Sequence, residues 1–349
     1  MIDNTFSRKI KVLSFLAMVT VVMIHSHALG TFENAVPWCL FVQKFLFRTI
    51  TSWAVPFFFV ISGYFFARGA YFIQGAEYRW FIAKKVQTLL LPYLLWVIIG
   101  TAISMPLIMG NNYMMHRGLF ERTFLANGFG WKALDSFLCI TSNGPSGNLA
   151  LWYVRTLLIF FALAPIWKFV LKLNNMLTVA CGLLLVVFGS ELWIPFTGLK
   201  YGSFGWLFLG VGIAEFGVER IRFPRWLVIV FGCIYIALSV YVASCGVDCY
   251  AMVPLSGVLF WWGLYDWLMS SYRHLPACLS MTFWVYCLHG VVTGWFLAGT
   301  LFVLGKTNAS AMIASFASIF GALAISFAAG YYVKKMLPRF YNVLTGGRG

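Results

Sequence analysis

The sequence predicts an all-α membrane protein of about ten transmembrane helices in one bundle, and its composition carries that prediction. Hydrophobic residues make up 61% of the 349 residues, and charged residues only 10%, against about 25% in soluble domains. A chain this apolar cannot cover its surface with polar groups, so its solvent must be lipid. The aromatic share of 19% agrees, because Trp and Tyr collect at membrane interfaces.

Ten segments approach the roughly 20 apolar residues that a span needs. They are 10–29, 50–67, 82–109, 149–170, 176–190, 203–217, 226–244, 251–269, 281–304 and 309–334. The fifth and sixth are short, which indicates spans with little tilt or partly re-entrant segments. The third contains Pro92 and Pro106, which predict a kink or an early end of that helix.

The basic residues orient this bundle, since Lys and Arg favour the cytoplasmic side of a membrane. With both termini inside, seventeen of the 25 Lys and Arg residues fall in inner segments and seven in outer segments. The first apolar segment is too long for a signal peptide and is expected to remain as the first helix. Without a soluble domain or an internal repeat, residues 1–349 are predicted to form a single integral-membrane domain.

The net charge of +15 does not predict nucleic-acid binding, because the basic residues stand in short clusters between apolar segments. Cys245 and Cys249 fall in a predicted outer loop, where a disulfide and two free thiols are both compatible with the sequence. Glu215 and Asp266 lie near the inner ends of their spans and are interpreted as interfacial. Neither an H-x-x-x-H nor a C-x-x-C spacing occurs, so no metal site is predicted.

Two histidines, His25 and His27, close the first apolar segment. An ionisable ring in a span is costly and usually marks a pathway or a site, which makes His25 a functional candidate. The alternative is that the His25 ring hydrogen-bonds a backbone carbonyl near the outer interface. Residues two apart on a helix differ by about 200°, so the two rings are predicted to point to opposite sides and not to share a metal.

Three further segments carry polar groups within apolar sequence. In "AVPFFFVISGYFFARG" (54–69), small residues favour close helix packing, while Ser62 and Arg68 allow a helix that lines a ligand cavity. Arg155 stands near the outer end of its span, where it either reaches the interface or meets an anionic group in a cavity. His289 lies in the middle of its segment, one turn after Tyr286, and fits either a hydrogen-bonded core histidine or a site residue.

Together these segments resemble the acyltransferase-3 family of membrane acyltransferases. The resemblance covers nearly the whole chain and rests on five segments in the family's order. They are "VVMIHS", "VPFFFVISGYFF", "FIAKKVQTLLLPYLLW", "LWYVRTLLIFFALAP" and "FWVYCLHGVV". The "ID" near the start and the end of the first helix most resemble the branch that O-acetylates bacterial surface glycans.

The resemblance implies a membrane O-acyltransferase in the bacterial cytoplasmic membrane. It would move an acyl group, expected to be acetyl, from acyl-CoA to a sugar hydroxyl of a surface polysaccharide or its lipid-linked precursor. Acyl-CoA would be a donor substrate, no permanently bound cofactor is expected, and the other partners would be the glycan and membrane lipids. His25 matches the family histidine and is the candidate general base. Candidates for substrate or donor binding are Lys11, Ser62, Arg68, Arg155 and His289.

The chain departs from the family pattern at Ser14, where the family usually carries an arginine eleven residues before the histidine. The resemblance implies that this arginine acts on the acyl donor. Eleven residues are about three helical turns, so Ser14 shares a face with His25 and lies about 16 Å nearer the cytoplasm. Lys11, one turn further in, points within about 40° of that face and is the candidate substitute.

Two other functions remain compatible with the sequence. A multi-spanning glycan exporter or transporter also has about ten spans and buried charges, although such proteins often show broken helices in matching positions of two halves, and no such pairing occurs here. The second alternative is a family member that has lost its activity, which the departure at Ser14 allows.

Overall fold

The computed structural model describes residues 4–28, 35–69, 75–126, 128–142, 144–145, 147–171, 174–195, 197–218, 221–246, 251–269 and 275–348. The α-helices in these residues are α1 Asn4–His25, α2 Pro37–Lys44, α3 Ala54–Arg68, α4 Gly75–Lys85, α5 Leu91–Met114, α6 Trp131–Leu138, α7 Trp152–Ala162, α8 Ala164–Leu171, α9 Asn175–Gly189, α10 Tyr201–Ile213, α11 Arg225–Cys245, α12 Met252–Leu268, α13 Thr282–Leu304, α14 Asn308–Met336 and α15 Pro338–Thr345. Two short strands, β1 Trp193–Ile194 and β2 Leu199–Lys200, pair antiparallel. The all-α prediction is confirmed.

Each of the ten predicted segments coincides with helical structure. Among the described residues, five continuous helical stretches are long and apolar enough to cross a membrane: Pro37–Arg68, Gly75–Met114, Arg225–Cys245, Ala277–Leu304 and Asn308–Met336. Three apolar helices are shorter: Leu149–Ala162, Asn175–Gly189 and Tyr201–Ile213. The structure therefore fits a helical membrane protein, and the count of ten spans stays a prediction.

Proline does not end the third predicted segment. Helix α5 continues through Pro106 to Met114, so the expectation of an early end at Pro106 is wrong. A proline removes one backbone hydrogen bond, and the remaining bonds of a long membrane helix keep it continuous. Pro92 follows a π-helical turn at 86–90 inside the continuous helical stretch Gly75–Met114, so its missing N–H leaves one helical bond of that stretch unmade.

Glycines let α10 pack tightly against α3. A Cβ on Gly63 would overlap the Leu207 carbonyl, and a Cβ on Gly210 would overlap the Val60 carbonyl. The packing interpretation of the small residues in α3 therefore agrees with the structure at Gly63.

A buried ion pair joins α1 and α12, and the placement of Asp266 at the membrane interface stays a prediction. Lys9 Nζ lies 2.7 Å from Asp266 Oδ2, and both side chains are almost fully buried. The ammonium also lies 3.7 Å from the ring centroid of Trp262, where a cation–π contact stabilises it. Desolvation of a charge is costly unless it is paired, so Lys9 and Asp266 depend on each other.

The predicted outer-loop cysteines are described only in part. Cys245, the last residue of α11, is a free and exposed thiol. Cys249 lies outside the described residues.

Candidate active site

A cavity of about 770 Å³ opens between α1, α3, α4, α7 and α13. Its size falls within the usual range for ligand sites, about 300–1,000 Å³. Most of its wall is apolar, with aromatic rings from α3, α4, α7 and α13. Three residues singled out from the sequence line it, namely Lys11, Ser14 and Ser62. The helix face shared by Lys11 and Ser14 therefore borders a space that can hold a ligand.

The charged residues of the described cavity lining are all basic. The basic lining residues are Lys11, Lys84, Lys85 and Arg348, and no described lining residue is acidic. The Lys84 amine lies 4.9 Å from the Trp80 ring centroid, and the Lys85 amine lies 4.3 Å from that of Phe161. Uncompensated like charges repel one another and attract anions, so this part of the cavity favours an anionic ligand.

Three hydroxyls, those of Ser62, Tyr153 and Tyr286, also line the cavity. The Tyr286 hydroxyl donates to the Ala150 carbonyl, and the Tyr153 hydroxyl donates to the Phe58 carbonyl at 3.2 Å. The Ser62 and Tyr153 oxygens are 2.9 Å apart. Either hydroxyl can donate in that pair, and Ser62 is the donor when the proton of Tyr153 goes to the Phe58 carbonyl.

Beyond the cavity, His25 and His289 meet. Their ring centroids lie 5.2 Å apart, and the His289 centroid lies 5.9 Å from that of Tyr286, which lines the cavity. His289 is fully buried and His25 is half-buried. Neither histidine is among the described residues that line the cavity, and Tyr286 is the lining residue that contacts His289.

The hydrogen bonds of His289 define its neutral form. Its Nδ1 lies 3.2 Å from the Val285 carbonyl oxygen, which can only accept, so Nδ1 carries the proton and Nε2 holds a lone pair. Nε2 is buried and has no hydrogen-bond partner among the described residues. A buried polar atom without a partner is costly, so this nitrogen is a candidate for contact with a substrate or with a moved His25.

Asn148 braces the turn of α13 that carries His289. Its Nδ2 donates to the Cys287 carbonyl at 2.7 Å. A Cβ on Gly290 would come within 2.7 Å of Asn148 Oδ1, and a Cβ on Gly100 within 2.8 Å of Asn148 Cβ. These close approaches hold α13 and α5 against the loop before α7, and thereby fix the position of His289.

His27 and Arg68 lie away from the cavity. His27 is exposed, in agreement with the helix period, which separates it from His25. Arg68 is also exposed, and its Nε donates to the Tyr64 hydroxyl at 3.3 Å. Arg68 therefore packs along its own helix.

Arg155 is buried outside the cavity, where it ties two loops to α7. Its Nη1 donates to Cys139 Sγ at 2.9 Å and to the Ser142 carbonyl, and its Nη2 donates to the Thr197 carbonyl. Only Nε lacks a partner among the described residues. The guanidinium is not part of the cavity lining, and the other environment considered from the sequence, the outer interface, stays a prediction.

Sequence reasoning did not single out several residues that build this region. Lys84 and Lys85 stand in a quoted segment, and their neighbouring charges at a helix entry were a usable signal. No sequence signal marked Tyr153 or Asn148. Arg348 is brought to the cavity by the tertiary structure. Among the described residues, no cluster of three potential metal ligands occurs.

Comparison with known proteins agrees with the resemblance in the sequence. No curated protein and no solved structure matches the chain. The family model described as an acyltransferase domain matches residues 8–331, which include both histidines and every residue of the cavity lining except Arg348. This match spans nearly the whole chain, and the helices are those of a multi-pass membrane protein. The chain therefore belongs to the acyltransferase-3 family of membrane acyltransferases.

Proposed function

We propose that this protein transfers an acyl group, with acetyl as the expected group, from acyl-CoA to a sugar hydroxyl of a surface polysaccharide or its lipid-linked precursor. The observation that carries the proposal is the cavity, which is lined by cations and hydroxyls and in which Tyr286 contacts His289, the neighbour of His25. Acyl-CoA has the matching arrangement, with phosphates at one end and a thioester at the other. The phosphates would meet Lys84 and Lys85, and the thioester would point toward Tyr286.

The transfer needs a base for the acceptor alcohol. A ring nitrogen of His25 takes the proton of the sugar hydroxyl as its oxygen attacks the thioester carbon. The new C–O bond forms, the C–S bond breaks, and the proton passes from His25 to the departing thiolate. The products are an ester and a thiol, so no oxidant, reductant or metal is required.

His289 acts as a positioning residue in this proposal. Its Nε2 lone pair accepts the N–H of His25 once the two rings close on the substrate, because the nitrogen has no other partner among the described residues. That contact selects the tautomer of His25 and leaves its other nitrogen free to accept a proton. Apo geometries of catalytic groups are often longer than those of the loaded enzyme, and the ring separation of 5.2 Å is consistent with that.

Ser62 is the donor we propose for the negative charge that develops on the thioester oxygen. The hydroxyl protons of Tyr153 and Tyr286 are held by backbone carbonyls. The Ser62 hydroxyl pairs with the Tyr153 hydroxyl, and while Tyr153 donates to Phe58 the Ser62 proton can rotate toward a substrate without leaving a carbonyl unpaired. Arg155 is engaged with loop atoms and takes no part in this step.

Labelled acetyl-CoA tests the proposal. Purified protein in detergent or vesicles is expected to release CoA and to move the label onto a glycan acceptor prepared from the same membranes. Accumulation of glycan in vesicles without acyl transfer would instead favour the exporter. Surface glycans from cells with and without the gene should differ in O-acylation, and identical acylation would contradict the proposed acceptor.

We further propose that the protein lies in the bacterial cytoplasmic membrane with both termini in the cytoplasm. The inner segments would then place the cationic part of the cavity on the side where acyl-CoA is made. Single cysteines at Phe129, which is 93% exposed, and Ile221 test this in a background without the native exposed cysteines. An impermeant thiol reagent is expected to label F129C and not I221C in intact cells, and the opposite result would invert the orientation.

A further inference from the structure

The C-terminal segment lies beyond the matched family region but is built into the bundle. Helix α15 begins with Pro338 in its first turn. Tyr341, fully buried, stacks on Trp284 with ring centroids 5.2 Å apart, and the Trp96 indole donates to the Leu344 carbonyl at 3.0 Å. These contacts seat α15 between α5 and α13, so the residues that follow have a defined starting point.

Two glycines then turn the chain toward the cavity. Gly346 and Gly347 have φ angles of 59° and 73°, which glycine adopts without the strain that other residues meet. A Cβ on Gly346 would overlap the Thr88 carbonyl, so a side chain is excluded there by space as well. The turn closes with a hydrogen bond of 2.8 Å from the Gly347 amide to the Asn342 carbonyl.

The turn delivers Arg348 into the cavity. Its guanidinium carbon lies 4.6 Å from the Phe283 ring centroid, and the residue lines the same space as Lys11, Lys84 and Lys85. Ser14, also in the lining, adds no charge. A fourth cation is repelled by the other three. A bound anion would offset this repulsion, which explains the arrangement.

We propose that the C-terminal segment is part of the donor site and that Arg348 binds a phosphate group of the acyl donor. This inference rests on the proposed function. A guanidinium presents a planar pair of N–H donors that matches phosphate oxygens, whereas a lysine ammonium is a compact point charge. The three lysines would therefore attract the donor, and Arg348 would hold one phosphate in a defined orientation.

The test compares two thioesters that differ in their phosphates. Full-length protein in detergent is titrated with acetyl-CoA and with S-acetylpantetheine, which lacks phosphate. Arg348→Ala is expected to weaken acetyl-CoA binding about tenfold or more and to leave S-acetylpantetheine binding unchanged. Arg348→Lys should recover part of the affinity, and Arg339→Ala is the matched control, because Arg339 is exposed on the same helix and outside the cavity lining.

The outcomes separate this inference from the function on which it rests. If the wild type binds neither thioester, the proposed function fails and this inference fails with it. If the wild type binds acetyl-CoA and Arg348→Ala binds it equally well, only the role of Arg348 is overturned. Equal weakening of both thioesters would indicate a structural role and would also overturn it. A chain that ends at Gly347 retains α15 and its turn, and it should reproduce Arg348→Ala with an unchanged unfolding temperature.

Discussion

Arg155 and the pair His25–His289 are ionisable groups inside the same bundle, but their surroundings differ. Both terminal nitrogens of Arg155 donate to atoms of neighbouring loops. His289 uses one nitrogen for a carbonyl of its own helix, and the other has no partner among the described residues. Most donors of Arg155 are therefore bonded to protein atoms, whereas one of the two ring nitrogens of His289 is not.

This difference separates a structural charge from a candidate catalytic group. A buried polar atom with protein partners stabilises the fold, and its removal leaves those partners unsatisfied. A buried polar atom without a partner lowers stability until a ligand or a moving side chain meets it. We therefore expect substitutions at Arg155 to act on stability and substitutions at His25 and His289 to act on rate.

The largest expected effect is that of His25→Ala. Loss of a general base typically lowers the rate by about 10²–10⁴, or about 3–5 kcal/mol in the barrier. The variant should insert and unfold like the wild type while nearly all transfer from labelled acetyl-CoA is lost. The exposed His27 provides the matched control, and His27→Ala should keep most of the activity. Full activity in well-expressed His25→Ala would remove the residue from the mechanism, and equal losses in both variants would indicate a structural pair.

Arg155→Met should give the opposite pattern. Each lost hydrogen bond from a charged donor costs about 1.5–3 kcal/mol, so the unfolding temperature in detergent should fall clearly. Activity per folded molecule should stay close to that of the wild type. Lys132→Met, at an exposed position, controls for the loss of one positive charge. A normal unfolding temperature with lost activity would show that Arg155 is a site residue and would contradict the distinction between Arg155 and the histidines.

His289→Gln tests whether His289 positions His25. The amide retains a polar group but cannot reproduce the ring geometry, so His25 should be less well oriented. A misplacement of about 1 Å can cost about a hundredfold in rate, and we expect a fall of up to that size in kcat with little change in KM for acyl-CoA. The acid limb of the pH–rate profile should also move, because the protonation of His25 responds to its neighbour. A variant with unchanged kcat and an unchanged pH profile would contradict this role.

The smallest expected effect concerns Lys11. If it replaces the arginine that the family usually carries at position 14, Lys11→Ala should raise KM for acyl-CoA, by about tenfold for one lost charged contact. The KM for the acceptor should not change. Ser14→Arg should be tolerated and should restore donor binding in the Lys11→Ala background, since both residues line the cavity. An unchanged KM in Lys11→Ala would exclude Lys11 from the donor site.

Local patterns predicted the long apolar helices, but not the short helices α2, α6 and α15, which lie outside the ten predicted segments. The lengths of apolar sequence predicted α-helical structure at all ten segments, and the helix period separated His25 from His27. Pro106 does not end α5, because the other hydrogen bonds of the helix outweigh the one that proline removes, and the alternative of a kink stays a prediction. Gly63 was interpreted as a packing residue, and its contact with Leu207 agrees.

Local patterns indicated only that His25 is an ionisable ring at the end of a span, and the resemblance implied its role as a general base. It could not indicate which ionisable groups face a cavity. Arg68 and Arg155 were as plausible as Lys11 on sequence, and the structure leaves both outside the cavity lining.

The meeting of His25 with His289, the buried pair of Lys9 with Asp266, and the arrival of Arg348 in the cavity are products of the tertiary structure. Each joins residues far apart in the chain, and no periodicity relates them. Apolar length and helix period are local properties, so composition and order along the chain determine the helices and the side of each helix that a residue takes. Which sides face one another depends on how all the helices pack together, and the charges that this packing leaves unpaired mark the candidate site.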